Sequence, residues 1–218
     1  MVPARFNSGT GRATPLQSVH TCRSSTRNWL RTALTLWLLS VGIPGPAVYA
    51  SSTAFAAQLR DADTNLVRLG QGTAHYARFI PVYDAALYID QDAGSADPLD
   101  PGVAKRLDIV YRTSIKASDM ITAAERTLAR QHSEEVLARW REAIDALHAA
   151  YRDVDSGDRY ALVFLPGDGL RLEFNGRPVT HVAATGFAQL YLGIWLGDPP
   201  LSARLKRALI NHSGDNER

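Results

Sequence analysis

His75 and Tyr83, eight positions apart, are the residues of this chain whose types best suit work on a small molecule. On one unbroken strand they share parity and project to the same side as Phe79, Ala85 and Leu87. An imidazole and a phenol above apolar side chains could hold a carboxylate or phenolate head group. Read plainly, the same pair is two half-buried residues of a sheet. Tyr88 has the opposite parity to Tyr83 and faces away from it unless a bulge intervenes. Tyr191 and Trp195, four apart on a helix, either pack a core or roof an apolar cavity. His132, His148, His181 and His212 stand at no metal-ligand spacing with another histidine, cysteine or carboxylate. His132 and His148 are expected at helix ends or on solvated faces. Nucleophile elbows, phosphate loops and HExxH patterns are absent, so neither a metal nor a cofactor is expected.

The elements that must position these residues follow from periodicity. Leu66–Leu69 and Ala74–Ile89 read as strands, with Gly70 and Gly72 marking a turn or bulge between them. Pro81 inside the second run argues for an edge strand or a bulge. Residues 91–101 are a loop by composition, and Arg106–Arg112 alternates as the next strand. Ser118 can cap a helix reaching Gln131. Ser133, followed by Glu134 and Glu135, can cap a second one continuing through Trp140, Ile144 and Leu147 to Tyr151. The period then returns to two in Tyr160–Leu165, Leu170–Phe174 and Pro178–Val182, the last two joined by an Asn175-Gly176 hairpin turn. Gly186–Leu196 and, after a Gly-Asp-Pro-Pro break, Ala203–Ile210 capped by Ser202 are helical. Together these elements predict an α+β fold, an antiparallel sheet with helices packed on one face.

Residues 1–50 are a separate matter. They hold Arg5, Arg12, Arg23, Arg27 and Arg31, no Asp or Glu, and an uncharged apolar run from Thr32 to Pro44 followed by small residues. That order reads as a secretory signal peptide with a long basic start, cleaved after Ala50 or Ala56. An N-terminal membrane anchor is the alternative, although the run falls short of the ~20 apolar residues a span needs. Residues 51–65 read as a leader, 66–212 as the domain and 213–218 as a tail. Five of the 24 Lys and Arg and none of the 22 Asp and Glu lie in the presequence, leaving 19 basic against 22 acidic residues. A mildly acidic domain without an aromatic-studded basic patch is not expected to bind nucleic acid. The single cysteine, Cys22, lies in the presequence, so no disulfide framework is expected, and the mature form should be periplasmic or secreted without a membrane span.

VYDAALYI (82–89), SIKASDM (114–120), FLPGDGLRLEFNGRPV (164–179) and WLGDPPLSARLKRALI (195–210), in that order and spacing, resemble the bacterial chalcone isomerase-like family. The resemblance runs from about Leu66 to Ile210 and implies an open-faced β-sandwich, a large antiparallel sheet backed by helices with a cleft between. In the plant enzymes of this fold an arginine, a threonine, a tyrosine, a lysine and an asparagine serve a ring closure. Aligned through VYDAALYI, the arginine's position falls on His75 and the threonine's on Tyr83. The helix-start residues fall near Lys116, Asp119 and Ala123, and a polar residue of the last helix falls on Ile194. None is matched in kind, and histidine lacks arginine's permanent planar charge.

Relatives of the same fold that bind fatty acids hold the carboxylate with an arginine and a tyrosine. The resemblance therefore implies a non-catalytic exported domain binding a small hydrophobic or fatty-acid-like ligand. His75 and Tyr83 would stand at the head group, and Phe79, Leu87, Ile194 and Trp195 along the cleft. Histidine is charged only near or below pH ~6.5, so anion binding should weaken as pH rises. Two other readings stand beside it: an isomerase or lyase acting on an enone-like substrate through His75 or Tyr83, and an envelope protein-interaction domain whose cleft is filled by its own side chains.

Overall fold

The computed structural model of the chain describes residues 55–211, apart from Ala62, Arg78 and Ser95. The presequence 1–50 with Cys22, the residues 51–54, His212 and the tail 213–218 lie outside the described residues.

Among the described residues, seven strands make one antiparallel sheet whose spatial order is their order in the chain. They are β1 Gln58–Asp61, β2 Thr64–Tyr76, β3 Ile80–Asp90, β4 Lys105–Tyr111, β5 Arg159–Leu165, β6 Gly169–Phe174 and β7 Arg177–Val182. The helices are α1 Ala117–Gln131, α2 Glu134–Arg139, α3 Arg141–His148, α4 Phe187–Leu196 and α5 Ala203–Ile210. This is the expected α+β plan. Alternation places Tyr83, Ala85 and Leu87 of β3 beside Tyr111, Ile109 and Leu107 of β4, and Ile109 and Leu107 beside Tyr160 and Leu162 of β5. That face meets Leu128 of α1, Ile144 and Leu147 of α3 and nearly all of α4 in one core. At Asn175-Gly176 both residues take positive φ, 48° and 76°, the conformation that suits a two-residue hairpin between right-twisted strands.

Three elements differ from the sequence reading. Ala74–Ile89 is not one strand: β2 passes straight through Gly70 and Gly72, and the chain reverses at residues 77–79, where Ala77 takes φ 48°. A reversal built on alanine leaves no glycine or proline signal. The bulge expected near Gly70 is present, between Arg68 and Gly70, and Pro81 lies at a second register shift opposite Ala74 and His75. The helix read from Ser133 to Tyr151 breaks at Trp140, whose φ and ψ are −100° and 6° while its ring packs 6.0 Å from that of Phe187. The cap expected from Ser118 comes instead from Asp153, which accepts the Ala117 N–H at 2.9 Å.

The described residues of the segment read as a leader, from Phe55 on, pack with the domain. Phe55 is buried, and Leu66 of β2 is fully buried with it among Ala86, Tyr88, Ala104 and Val110. The Tyr88 hydroxyl donates to the Ala56 carbonyl at 3.0 Å, and the Arg68 guanidinium donates to that of Phe55. Asp61 of β1 accepts from Arg171 of β6 at 2.8 Å, so the sheet curls until its first strand lies over its own outer face. Beneath β1 sits a cluster of alternating charge. Arg106 meets Asp61 at 3.4 Å, Asp108 at 2.7 Å and Glu173 at 2.9 Å, and Arg171 meets Glu173 at 3.0 Å.

One cation is buried on the inner face. Lys105 is 1% exposed, donates to the Asp100 carbonyl at 2.6 Å and stands 5.0 Å from the Phe164 ring centre. Burial pulls its ammonium down to about 8, with Asp100 and Asp97 opposing. A lysine in the unfolded chain holds its proton to ~10.4, so between those values the unfolded state binds more protons and stability must rise with pH. We expect a gain on the order of 2 kcal/mol from pH ~8 to ~10 in chemical denaturation. Above that the buried tyrosines described below reverse the slope, because they keep protons that the unfolded chain has lost. In Lys105→Met the rise should vanish; a rise that persisted would assign it to another group.

Candidate functional site

α4 is apolar nearly all round and therefore lies inside the molecule, across the inner faces of the central strands. There it closes the sheet–helix interface with rings. The Trp195 indole N–H donates to the Tyr83 hydroxyl at 3.1 Å, and one turn earlier the hydroxyls of Tyr191 and Tyr151 lie 3.0 Å apart. Tyr111 stands edge-on to Tyr83 at 5.8 Å and to Tyr160 at 6.2 Å, and its hydroxyl donates to Met120 Sδ at 3.1 Å. Tyr160 accepts the Arg152 N–H at 2.8 Å. Burial pushes the Tyr83 phenol up to about 12 against the opposing indole bond. It raises Tyr111, Tyr151 and Tyr191 as well. Phenols held neutral in this way are poor bases at neutral pH.

Behind this cluster, His148 stands at a helix end, one of the two places expected from the sequence, and is only 7% exposed there. It ends α3 on the side turned to the core. Its Nδ1 lies 3.3 Å from Glu125 Oε1, which also accepts from Arg141 at 2.7 Å. Burial lowers the imidazole's proton affinity, partly offset by Glu125. The three residues come from two helices separated by a break, and no local spacing announces them.

The second assembly is at an edge. β1 pairs with β2 only from Thr64 to Val67, and past Arg68 the outer side of β2 carries no strand among the described residues. α5 fills that flank. It can approach because Gly70 and Gly72 present no side chain: a Cβ on Gly70 would stand 2.3 Å from the Ala208 carbonyl oxygen. Where α5 begins, Thr73, His75, Ser202, Arg204 and Arg207 line a hollow of about 390 Å³. The neutral groups there are already engaged. Thr73 donates to Asp84 at 2.7 Å, and the Ser202 hydroxyl caps α5 by accepting the Leu205 N–H at 3.3 Å. His75 Nδ1 lies 3.1 Å from the Thr73 carbonyl oxygen, which can only accept, so Nδ1 is the donor and Nε2 is left for a guest. Arg204 and Arg207 form no ion pair among the described residues, whereas Arg112 nearby is bound to Asp84 at 2.7 Å. Two exposed guanidinium groups thus border the hollow.

The residues singled out in the sequence therefore divide. Tyr83, Leu87, Ile194 and Trp195 gather in the core, with Tyr83 and Trp195 in direct contact. His75 is one register step from Tyr83, across from Pro81, but opens to the edge hollow. Their shared parity assumed a continuous strand, and the reversal at 77–79 removes it. Phe79 is not on the helix-facing side; it lies in the reversal, 84% exposed. Lys116 is exposed and bound to Asp153 at 2.6 Å, Asp119 is exposed, Ala123 is half-buried and Ile194 is buried, so these four do not assemble a site. Arg204 and Arg207 were missed, although the stretch SARLKRALI, with three basic residues and no acidic one, carried the signal.

A family model described as chalcone isomerase-like matches residues 47–211. No curated protein matches the chain. Among solved structures it is similar to the crystal structure of a fatty-acid binding protein of Arabidopsis thaliana, with a TM-score of 0.58 and 13% identity over 72% of this chain and 90% of that one. At that identity the likeness is one of fold: a curled antiparallel sheet with helices on one side.

Proposed function

This chain belongs to the chalcone isomerase-like family, and from that premise we propose that it is a non-catalytic domain that binds a carboxylated amphiphile. The observation that carries the reading is the hollow at the α5 flank, where two arginines without carboxylate partners and His75 converge on a space sized for a head group. A carboxylate there would take charge-assisted hydrogen bonds from planar guanidinium groups. The Leu201 N–H bonds to the Ile194 carbonyl at 2.8 Å, so the loop that ends in Ser202 lies directly on the last turn of α4. A tail entering under that loop meets Trp195, Tyr83, Leu87 and Ile194, and the Trp195 indole must swing from Tyr83 to admit it. The fatty-acid binding protein of similar fold supports this class of ligand.

The test is native mass spectrometry and fatty-acid titration of the protein purified after expression of the full chain. We expect decanoate binding at pH 5.5 and at pH 7.5, and a loss of roughly tenfold or more in Arg204→Ala/Arg207→Ala. Equal affinity in that variant would remove the hollow from the site. A protein that takes up no fatty acid at either pH would favour the second reading, a protein-interaction domain. The interlocked pairs Tyr83–Trp195 and Tyr151–Tyr191 that fill the cleft support that alternative.

Export is part of the proposal and rests on the presequence. Cleavage after Ala50 leaves Phe55 and the Ala56 carbonyl in place, whereas cleavage after Ala56 would remove both from the outer-face packing. The mature N-terminus is therefore expected at Ser51.

A further inference from the structure

Among the described residues, the large apolar side chains that remain exposed fall on two elements. They are Tyr76 at 71%, Phe79 at 84%, Ile80 at 56%, Leu201 at 37% and Ile210 at 37%. The first three form the tip of the β2–β3 hairpin, where Tyr76 and Ile80 are cross-strand partners. The other two flank α5, which packs on β2 through Leu205, Ala208 and Leu209. A hairpin tip carrying tyrosine, phenylalanine and isoleucine has no core beneath it to explain them, and burying them against water-exposed neighbours would gain nothing. A second observation bears on what covers them. α5 contains Arg204, Lys206 and Arg207 and no acidic residue, and Arg204 and Arg207 are exposed on its outer side without a carboxylate partner. Lys206 is tied to the Gly197 carbonyl at 2.9 Å. Asp84, which Thr73 of the hollow bonds, is already taken by Arg112. His75 joins the two features: it is the residue before Tyr76 and it lines the hollow with Arg204 and Arg207.

An apolar, aromatic projection beside unpaired guanidinium groups matches the layered chemistry of one partner, the interface of an anionic bilayer. Acyl chains and the glycerol level accept Phe79, Ile80 and the amphipathic ring of Tyr76, and phosphates accept Arg204 and Arg207. A protein partner would need a complementary acidic groove, and nucleic acid would leave the apolar tip unsatisfied. We propose that the β2–β3 hairpin tip and the outer side of α5 dock on the surface of an anionic membrane, with the tip entering the head-group layer. Docked in this way, the hollow opens at the depth of lipid carboxylates and phosphates, so an amphiphile passes between bilayer and cleft without crossing water. That transfer role rests on the ligand reading above; the docking does not.

The experiment is flotation of the protein, purified after expression of the full chain, with vesicles of phosphatidylcholine alone and of phosphatidylcholine containing roughly a third phosphatidylglycerol. The first fifty residues bring five arginines of their own, so the decision rests on variants that share the same N-terminus. Phe79→Ser/Ile80→Ser should lower partitioning to the anionic vesicles roughly tenfold. Arg204→Gln and Arg207→Gln should each lower it roughly fivefold, with the effect shrinking as salt is raised. Wild-type partitioning in all of these variants would overturn the proposal, as would equal losses on neutral and anionic vesicles. Circular dichroism of each variant separates a lost surface from a lost fold. Titration of the wild-type protein with decanoate in the absence of vesicles reads the ligand proposal by itself, so either idea can fail while the other stands.

Discussion

Arg106→Met should unfold at markedly lower urea than the wild type, with a loss of about 3–5 kcal/mol. The guanidinium sits 13% exposed among Asp61, Asp108 and Glu173, themselves 13%, 2% and 11% exposed. A methionine fills much the same volume, so the loss would come from charge rather than from a cavity. Arg171 still reaches Asp61 and Glu173, but Asp108 keeps only Arg159 at 3.7 Å. Burial already lifts the Asp108 carboxyl above its ordinary range, with Arg106 as the main opposing influence. Without that arginine the carboxyl rises further. A carboxyl whose folded value exceeds its unfolded one binds protons preferentially in the fold, so the penalty stands at high pH and is relieved as pH falls. The deficit of the variant should therefore shrink on acidification. An exposed pair such as Arg139–Glu135, 3.9 Å apart, should show little change when broken. A variant as stable as the wild type at neutral pH would mean that the carboxylates find water or other cations when the arginine is gone.

Gly70→Ala should cost about 3 kcal/mol, and Gly72→Ala about 1. The difference lies in what each new methyl meets. At Gly70 it would stand 2.3 Å from the Ala208 oxygen, 2.5 Å from that of Leu209 and 2.8 Å from the Leu209 carbonyl carbon, all main chain that no rotamer change can move. At Gly72 it meets one atom closely, the Ala208 methyl at 2.7 Å, which has no rotamer and yields only by a small shift of α5, while Leu205 Cδ1 at 3.3 Å can turn. Relief at Gly70 requires α5 to lift from β2, which also spreads the hollow. Decanoate affinity should therefore fall in Gly70→Ala and hold within a few-fold in Gly72→Ala, read by the same titration in conditions where both are folded. Thermal unfolding of the two variants checks the ranking; a reversed order would place α5 differently on the strand.

These two sites also mark where the sequence was readable. Gly70 and Gly72 were read as a turn or bulge between two strands; a bulge is present beside the first, but both lie within β2, and a helix pressed against both could not be read from either. Strands with clean alternation, such as Tyr160–Leu165, and caps with local partners, such as Ser133 and Ser202, were legible because their causes lie within four residues. The reversal at 77–79 was not, since alanine at positive φ is a conformation that tertiary contacts impose. The charge cluster was invisible for a similar reason: Arg171 and Asp61 are 110 positions apart, and each alone is an ordinary polar residue in an alternating strand. Of the candidate site, Tyr83 and Trp195 were named from spacing and do touch. His75 was read onto one wall with Tyr83, and it opens instead to the edge hollow.

The curled N-terminal strand has a consequence for the order in which the molecule assembles. Every sheet pairing joins neighbours in sequence, β1 to β2 through β6 to β7, so each forms across a loop or one helical excursion. Such contacts close quickly because little chain entropy is lost in making them. The clasp of Asp61 onto Arg171 is the exception, for it needs the whole meander in place before its partner exists. The part of the domain that a ribosome makes first is thus fastened last. Until β6 arrives to hold β1 over the outer face, Tyr88, Ala86 and Val110 wait without the cover that Phe55 later gives them. That interval is the window in which the nascent chain is most open to pairing with another copy of itself.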